Sequence, residues 1–275
     1  MGERDRAGVV YSSAVRTRLA GMTDIGLMRE HNEDTFLVLP DHGVGVVADG
    51  MGGSCSGDEA SRLVVTTFTN LFTNGVGRLD GWPFPPDPNL TEEENQLVLG
   101  VRLANRSIVE KAASDRRFTG HGSTIVAALF DERAERVAVA HVGDSCCYRL
   151  RGDEVTELTV VHSLVNDYAS VLEELSPDQQ PTAAQWAEIP RNVITRALGM
   201  REDVQVDVLS HATCAGDVYV LCSDGLSSFV TPDRIRELVN ASSTLEAACA
   251  ALIEEANSAG GNDNITVVLA RVEDG

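Results

Sequence analysis

The chain has 275 residues, 43% of them hydrophobic and 23% charged, which suits a folded domain with a sizeable core and argues against disorder. Its 42 acidic residues outnumber its 22 basic ones, for a formal net charge of −20. Such a surface repels nucleic acid and anionic membranes, so neither is an expected partner.

Alternation and β-branched runs predict strands over Thr35–Pro40, Gly43–Asp49, Ser123–Phe130, Arg136–His141, Cys147–Leu150, Val204–Leu209, Asp217–Ser223 and Ile265–Val272. Helical periodicity marks Ser56–Leu71, with Leu63, Val64, Phe68 and Leu71 on one side. It also marks Thr91–Ala113, where Thr91 is placed to cap and Glu92, Glu93 and Glu94 fill the first turn. Near the end, Thr231 followed by Pro232 starts a helix over Asp233–Val239, and Thr244–Ala256 is a second, closed by Gly260 and Gly261. Asn74–Asn89, rich in proline, reads as a surface loop between helices. Val165–Arg191 is polar, with a short helical stretch around Asp167–Leu175 and a break at Ser176–Pro177, and reads as a flap beside a sheet. The strands are not separated by regular βαβ crossovers, which favours helices covering antiparallel sheets in one domain.

Six cysteines, Cys55, Cys146, Cys147, Cys214, Cys222 and Cys249, form no CxxC pair. Cys214, Cys222 and Cys249 are expected in the core, Cys146 and Cys147 on opposite faces of a strand, and no disulfide framework is expected. No apolar run reaches the ~18 residues of a membrane span. The opening residues lack the apolar segment of a secretory signal, and Arg6 breaks a myristoylation pattern. The expectation is a soluble cytoplasmic protein.

The chemistry lies in acids at strand ends. Glu33 and Asp34 precede an apolar strand and Asp49-Gly50-Met51 follows one. Gly143-Asp144-Ser145 and Ser223-Asp224-Gly225 each follow a strand, and Asn262-Asp263-Asn264 precedes the last. Singly, each reads as a turn, because Asp bonds its own backbone and Gly takes positive φ. Together they form a different pattern. Converging carboxylates repel one another unless a cation joins them, and oxygen-only ligands suit hard ions such as Mg²⁺ or Mn²⁺. An acidic protein that handles phosphate also needs a local positive centre, which bound cations supply.

These residues resemble a known family. Thr23, Asp24, Gly26, Arg29 and Asn32-Glu33-Asp34 come first, then Asp49-Gly50-Met51-Gly52-Gly53, Gly122-Ser123-Thr124 and Val142-Gly143-Asp144-Ser145. Thr195-Arg196-Ala197-Leu198-Gly199, Ser223-Asp224-Gly225-Leu226 and Gly261-Asn262-Asp263-Asn264-Ile265-Thr266 follow. In this order they look like the PP2C-type (PPM) serine/threonine protein phosphatases, bacterial branch. The resemblance implies an α+β fold, a four-layer αββα sandwich of two antiparallel sheets covered by helices. It implies a domain over residues 12–273 with a flap at about 165–190, after a flexible 1–11. It further implies two core ions, Mn²⁺ or Mg²⁺, bridged by Asp49 and a water, with Glu33 and the Gly50 carbonyl on one ion and Asp224 and Asp263 on the other. Asp34 acts behind them through water, Asn264 orients the local backbone, and Asp144 with Asp224 holds a third ion. Arg29 binds the substrate phosphate. The implied reaction is attack on phosphoserine and phosphothreonine esters of proteins by the metal-bridging hydroxide, opposing a Ser/Thr kinase. The expected state is a monomer. A pseudophosphatase that only binds phosphoproteins is the alternative, and the complete acid set speaks against it.

The sequence departs from the family pattern at several places. Met51 stands where many relatives carry a histidine proposed as general acid, so a water must protonate the leaving group. His31 and His162 are near by location, and the ordinary reading of each is a surface or strand-edge histidine. Ser228 replaces an acid found in some relatives, which implies a weaker third site. Val161 precedes His162-Ser163-Leu164 where relatives often have Asp, and the flap looks long.

Overall fold

In the computed structural model of the chain, residues 15–52, 57–74, 82–133, 135–173, 182, 189–190 and 193–275 are described. Two antiparallel sheets lie face to face. The first runs in the order β1 (Arg16–Asp24), β11 (Ile265–Glu273), β10 (Val218–Cys222), β7 (Cys146–Arg151) and β8 (Glu154–Glu157). The second runs β2 (Asp34–Leu39), β3 (Val44–Met51), β5 (Ile125–Asp131), β6 (Arg136–Val142) and β9 (Asp207–Ala212), with the short β4 (Gly122–Ser123) on the end of β3.

Strict alternation along these strands sorts their side chains into layers. Val47, Val126, Val139, Cys147, Tyr219, Leu221 and Val268 fill the space between the sheets. The other face of the first sheet, through Cys146, Val220, Cys222 and Val267, packs on the short α4 (Asp224–Ser227), α5 (Pro232–Ala241) and α6 (Leu245–Ser258). The other face of the second, through Val46, Ala48, Ala127 and Ala140, packs on α1 (Gly57–Thr73) and α2 (Glu92–Ser114). The result is the helix–sheet–sheet–helix sandwich that the sequence implied. Cys146 and Cys147 fall on opposite faces as expected, and the described cysteines are free.

The helix caps follow the sequence signals closely. Thr91 and Glu94 form a reciprocal capping box on α2, and Thr231 and Thr244 cap α5 and α6. Five expectations need correction. β1 was not among the predicted strands: its outer positions are Arg16 and Arg18, and what makes it a strand is continuous pairing with β11 from Arg16–Glu273 to Asp24–Ile265. β8 was likewise not predicted, and it forms by pairing with β7. β9 starts at Asp207 instead of Val204, because the register with β6 pairs His141 with Asp207 and Arg136 with Ala212. Cys214 is exposed, in the turn before β10. In the flap, α3 (Leu164–Glu173) begins before the expected Asp167. The expected flexible 1–11, much of the flap beyond Glu173 and residues 75–81 of the proline-rich loop lie outside the described residues.

Candidate metal centre

Strand direction gathers the acids. β2 and β3 are antiparallel and pair Asp34 directly with Asp49. Phe36, Val38 and Val47 of these strands face the space between the sheets, so parity places Asp34 and Asp49 on that same face. β10 and β11 are antiparallel, with Cys222 opposite Val267, so Asp224 after one strand and Asp263 before the other reach the same edge. β6 runs in the direction of β3 and delivers Asp144 there too. Every acid named from the sequence therefore meets at one end of the sandwich.

Hydrogen bonds fix each one. Asn264 is the hinge of the site. Its side-chain oxygen accepts the Glu33 N–H at 2.8 Å, and its Nδ2 donates to the Ile25 and His31 carbonyls at 2.9 and 3.0 Å. Thus Asn264 ties the Arg29 loop and Glu33 to the strand that follows Asp263. Glu33 Oε1 accepts the Gly57 N–H at the start of α1 at 3.1 Å, and the Glu33 carbonyl accepts the Gly50 N–H at 3.1 Å. Gly50 has no room for a side chain: a Cβ there falls 2.0 Å from the Gly57 carbonyl oxygen. Asp49 is held through its backbone by Thr124, whose Oγ1 accepts the Asp49 N–H at 3.1 Å and whose own N–H donates to the Asp49 carbonyl at 2.8 Å. Behind them, buried Asp34 accepts from Ser223 Oγ at 2.7 Å, and Ser223 in turn accepts the Thr266 N–H. Arg29 is exposed and donates to Asp263 Oδ2 at 2.7 Å, within electrostatic reach of Asp49 and Glu33.

The electrostatics ask for a cation. Burial, then the charges of Asp34, Asp224, Asp144 and Asp263, push the Asp49 carboxyl well above the usual range. Burial and the charges of Asp144 and Asp263 push Asp224 up, and burial does the same to Asp34 and Asp144. Among the described residues, buried Oδ1 atoms of Asp144 and Asp224 have no hydrogen-bond partner. Buried polar atoms are normally bonded, and leaving one bare costs about 1–3 kcal/mol, more when charged. An oxygen-only set with bare, mutually repelling carboxylates fits a hard divalent ion.

One reading of a histidine changes. His31 is exposed, as expected, but His162 is buried, with both ring nitrogens engaged: Nδ1 accepts the Gly143 N–H and Nε2 meets Asp207. Residues with supporting contacts were not assigned roles from the sequence. Ser145 and Ser223 are chain neighbours of Asp144 and Asp224, and that adjacency is the signal that could have found them, whereas Thr124 has no acid beside it in the chain and reaches Asp49 only through the fold. A cleft of about 780 Å³ opens at the opposite end, lined by Arg16, Arg18, His42, Glu132 and Arg133, and takes in none of these acids.

Fold and site together define a class: a metal-dependent phosphoesterase, in which an acid cluster that needs cations lies beside an arginine whose planar fork suits phosphate. Comparison with known proteins narrows the class. Residues 29–257 match the Protein phosphatase 2C family, and the chain belongs to it. It is 34% identical over 251 residues to the serine/threonine phosphatase stp of Listeria innocua, spanning 90% of this chain and 92% of that one. It is 30% identical over 257 residues to protein phosphatase PhpP of Streptococcus pneumoniae, spanning 92% and 96%. The catalytic domain of the phosphatase PstP, solved with two manganese ions, superposes with a TM-score of 0.75 at 31% identity, covering 94% of this chain and all of that one. Stp1 of Staphylococcus aureus superposes with a TM-score of 0.77 at 26% identity, over 98% of this chain. The chain is a metal-dependent protein serine/threonine phosphatase. No helix of the described residues is long and apolar enough to cross a membrane.

Proposed function

We propose that the acid end of the sandwich holds two core ions, Mn²⁺ or Mg²⁺, and removes phosphate from phosphoserine and phosphothreonine of proteins. Glu33, Asp49, the Gly50 carbonyl, Asp224 and Asp263 would hold the two core ions, and Asp144 with Asp224 would hold a third more weakly. When bound, such ions supply positive charge and a water of lowered pKa. The observation that carries this reading is the pair of buried, bare Oδ1 atoms on Asp144 and Asp224 among acids of raised pKa.

The chain's own groups do the rest. Arg29 has one donor on Asp263, and the remaining donors of its fork are free to grip the equatorial oxygens of the phosphoester and align phosphorus with the site. Asp34, bonded to Ser223, backs the site from below through water, and Asn264 holds the Glu33 backbone with its side-chain oxygen and donates its own backbone N–H to Asp263 Oδ1. Met51 has no proton to give, and His162 has no free ring nitrogen, so solvent water protonates the leaving alkoxide.

The substrates are phosphoproteins, and the enzyme opposes a Ser/Thr kinase in the cytoplasm. The net charge of −20, which keeps copies apart, supports a monomer. Hydrolysis of a phosphothreonine peptide tests the reading. It is expected to stop in EDTA and return with added Mn²⁺, and activity that persists in EDTA would overturn it. A phosphoproteome compared with and without an Asp224→Ala variant in the cell identifies the sites it removes, and an unchanged phosphoproteome sinks the kinase-opposing role.

A further inference from the structure

The buried cluster at the base of the flap has a job that the hydrolytic reading does not use. His162 follows β8 and is 5% exposed. Its ring Nδ1 accepts the Gly143 N–H at 3.0 Å, and its own backbone N–H donates to the Gly143 carbonyl at 2.8 Å. A backbone N–H only donates, so Nδ1 carries the lone pair and the neutral ring bears its proton on Nε2. That Nε2 lies 3.2 Å from Asp207 Oδ2, and Arg196 holds the other Asp207 oxygen at 2.6 Å. His141 of β6 stacks on the His162 ring, with centroids 4.7 Å apart. Burial, with help from the neighbouring His162, holds His141 down to about 4, so it stays neutral there.

His141, His162 and Asp207 bring possible ligand atoms within 4.8 Å of one another, a spacing that suits a transition metal. The bonding speaks against an ion. His162 has its lone pair on Gly143 and a proton facing Asp207, and Asp207 is already neutralised by Arg196.

The grip on Gly143 points instead to its neighbour. Gly143 has φ +110, and a Cβ there falls 2.7 Å from the Thr124 side chain, so the turn is tight against β5's approach. On the far side of Asp144, Ser145 Oγ bonds Thr124 Oγ1 at 2.7 Å, and the same Thr124 oxygen takes the Asp49 N–H. Asp144, whose Oδ1 is bare, is thus strung between two pinned residues. One pin runs to Asp49, and the other is His162.

We propose that His162 is a positioning residue for Asp144: through the paired bonds to Gly143 it sets the place of that carboxylate for a third divalent ion. Asp207 and Arg196 fix the ring's tautomer and orientation, as outer partners do around metal sites. The proposal rests on the reading of Asp144 as a third-ion ligand, and the experiment separates the two.

Two amides divide the ring's functions. In His162→Asn the side-chain oxygen reaches the Nδ1 place and keeps the acceptor for Gly143. In His162→Gln the amide nitrogen reaches the Nε2 place and keeps only the contact with Asp207. Mn²⁺ binding is titrated by the paramagnetic resonance signal of the free ion, with thermal melting of the metal-free proteins alongside. The parent is expected to bind two ions tightly and one weakly, and Asp144→Ala to lose the weak one. His162→Gln is expected to weaken that ion about tenfold or more while the two tight ions stay. His162→Asn is expected to weaken it less than His162→Gln does. If a His162 variant melts far below the parent, Asp207→Ala replaces it: the ring remains, it is no longer held from the Nε2 side, and the same ion weakens by a smaller factor. A weak ion lost in Asp144→Ala but bound as in the parent by His162→Gln, or by Asp207→Ala in its place, overturns the role of His162. Equal ion counts in the parent and Asp144→Ala overturn the third-ion reading and the positioning role with it.

Discussion

Strand β10 has an aspartate near each end, and the two are treated in opposite ways. Asp217, 1% exposed, leads into the strand and is fully answered: Arg151 grips it with two donors, both at 2.7 Å, and the Cys214 N–H adds a third at 2.9 Å. Asp224, just past the other end, has a bare buried oxygen and carboxylates for neighbours. The same residue type on the same strand meets a counter-charge from the chain at one end and has a bare carboxylate oxygen at the other. A buried acid that lacks a protein partner is held for something that arrives from solution.

The comparison is open to attack from both ends. The largest expected effect is on Asp224 or Asp263. Replacing either with Ala should cut Mn²⁺-dependent turnover by on the order of a thousandfold, since ion-borne charge stabilisation is worth several kcal/mol. The metal-free fold should be no less stable, because a like charge has gone. Near-parent turnover in either variant would remove the site assignment.

At the other end, Asp217→Ala should leave turnover per folded molecule unchanged and cost about 1–3 kcal/mol in denaturant unfolding, from the lost bonds to Arg151 and the Cys214 N–H, with solvent reaching the half-exposed Arg151. A variant as stable as the parent would show that this acid is not the structural counterpart of Asp224.

Arg29→Lys probes the edge of the site. Lys keeps the charge but loses the fork, so kcat/KM on a phosphopeptide should fall about tenfold, with ion binding little changed. An unaltered kcat/KM would mean that the arginine serves Asp263 and not the phosphate.

The smallest effect is thermal. Asp34, Asp49, Asp144 and Asp224 have pKa values raised in the folded, metal-free protein, first by burial. Unfolded, they titrate near about 3.9. Between those values the folded state binds more protons, so stability is full at low pH and is lost as pH rises through the raised values. Metal-free protein should melt a few degrees lower at pH 8 than at pH 5.5, and Mn²⁺ should close the gap. A melting point that climbs with pH without metal would refute the repulsion.

Much of the site was legible before any fold was known. Each acid stands where an apolar run stops or starts, and Asp-Gly, Ser-Asp and Asn-Asp-Asn mark turns whatever the fold. The caps Thr91 and Thr231 were equally legible, because capping is decided within four residues. β1 was not, since its outer arginines hide the alternation and only β11 makes it a strand. Nor was the start of β9, which is a matter of register with β6.

By itself, then, the sequence determined the local events: which residues cap, which runs extend, which acids sit at the ends, and, by their ordered resemblance, the family. Tertiary structure alone decided that the acids share one edge, that Asp217 is satisfied and Asp224 is not, and that His162, expected at the surface, is buried against Gly143. The reason is range. Caps and turns are settled between near neighbours in the chain, whereas the state of a carboxylate depends on which charges and N–H groups distant strands bring to it.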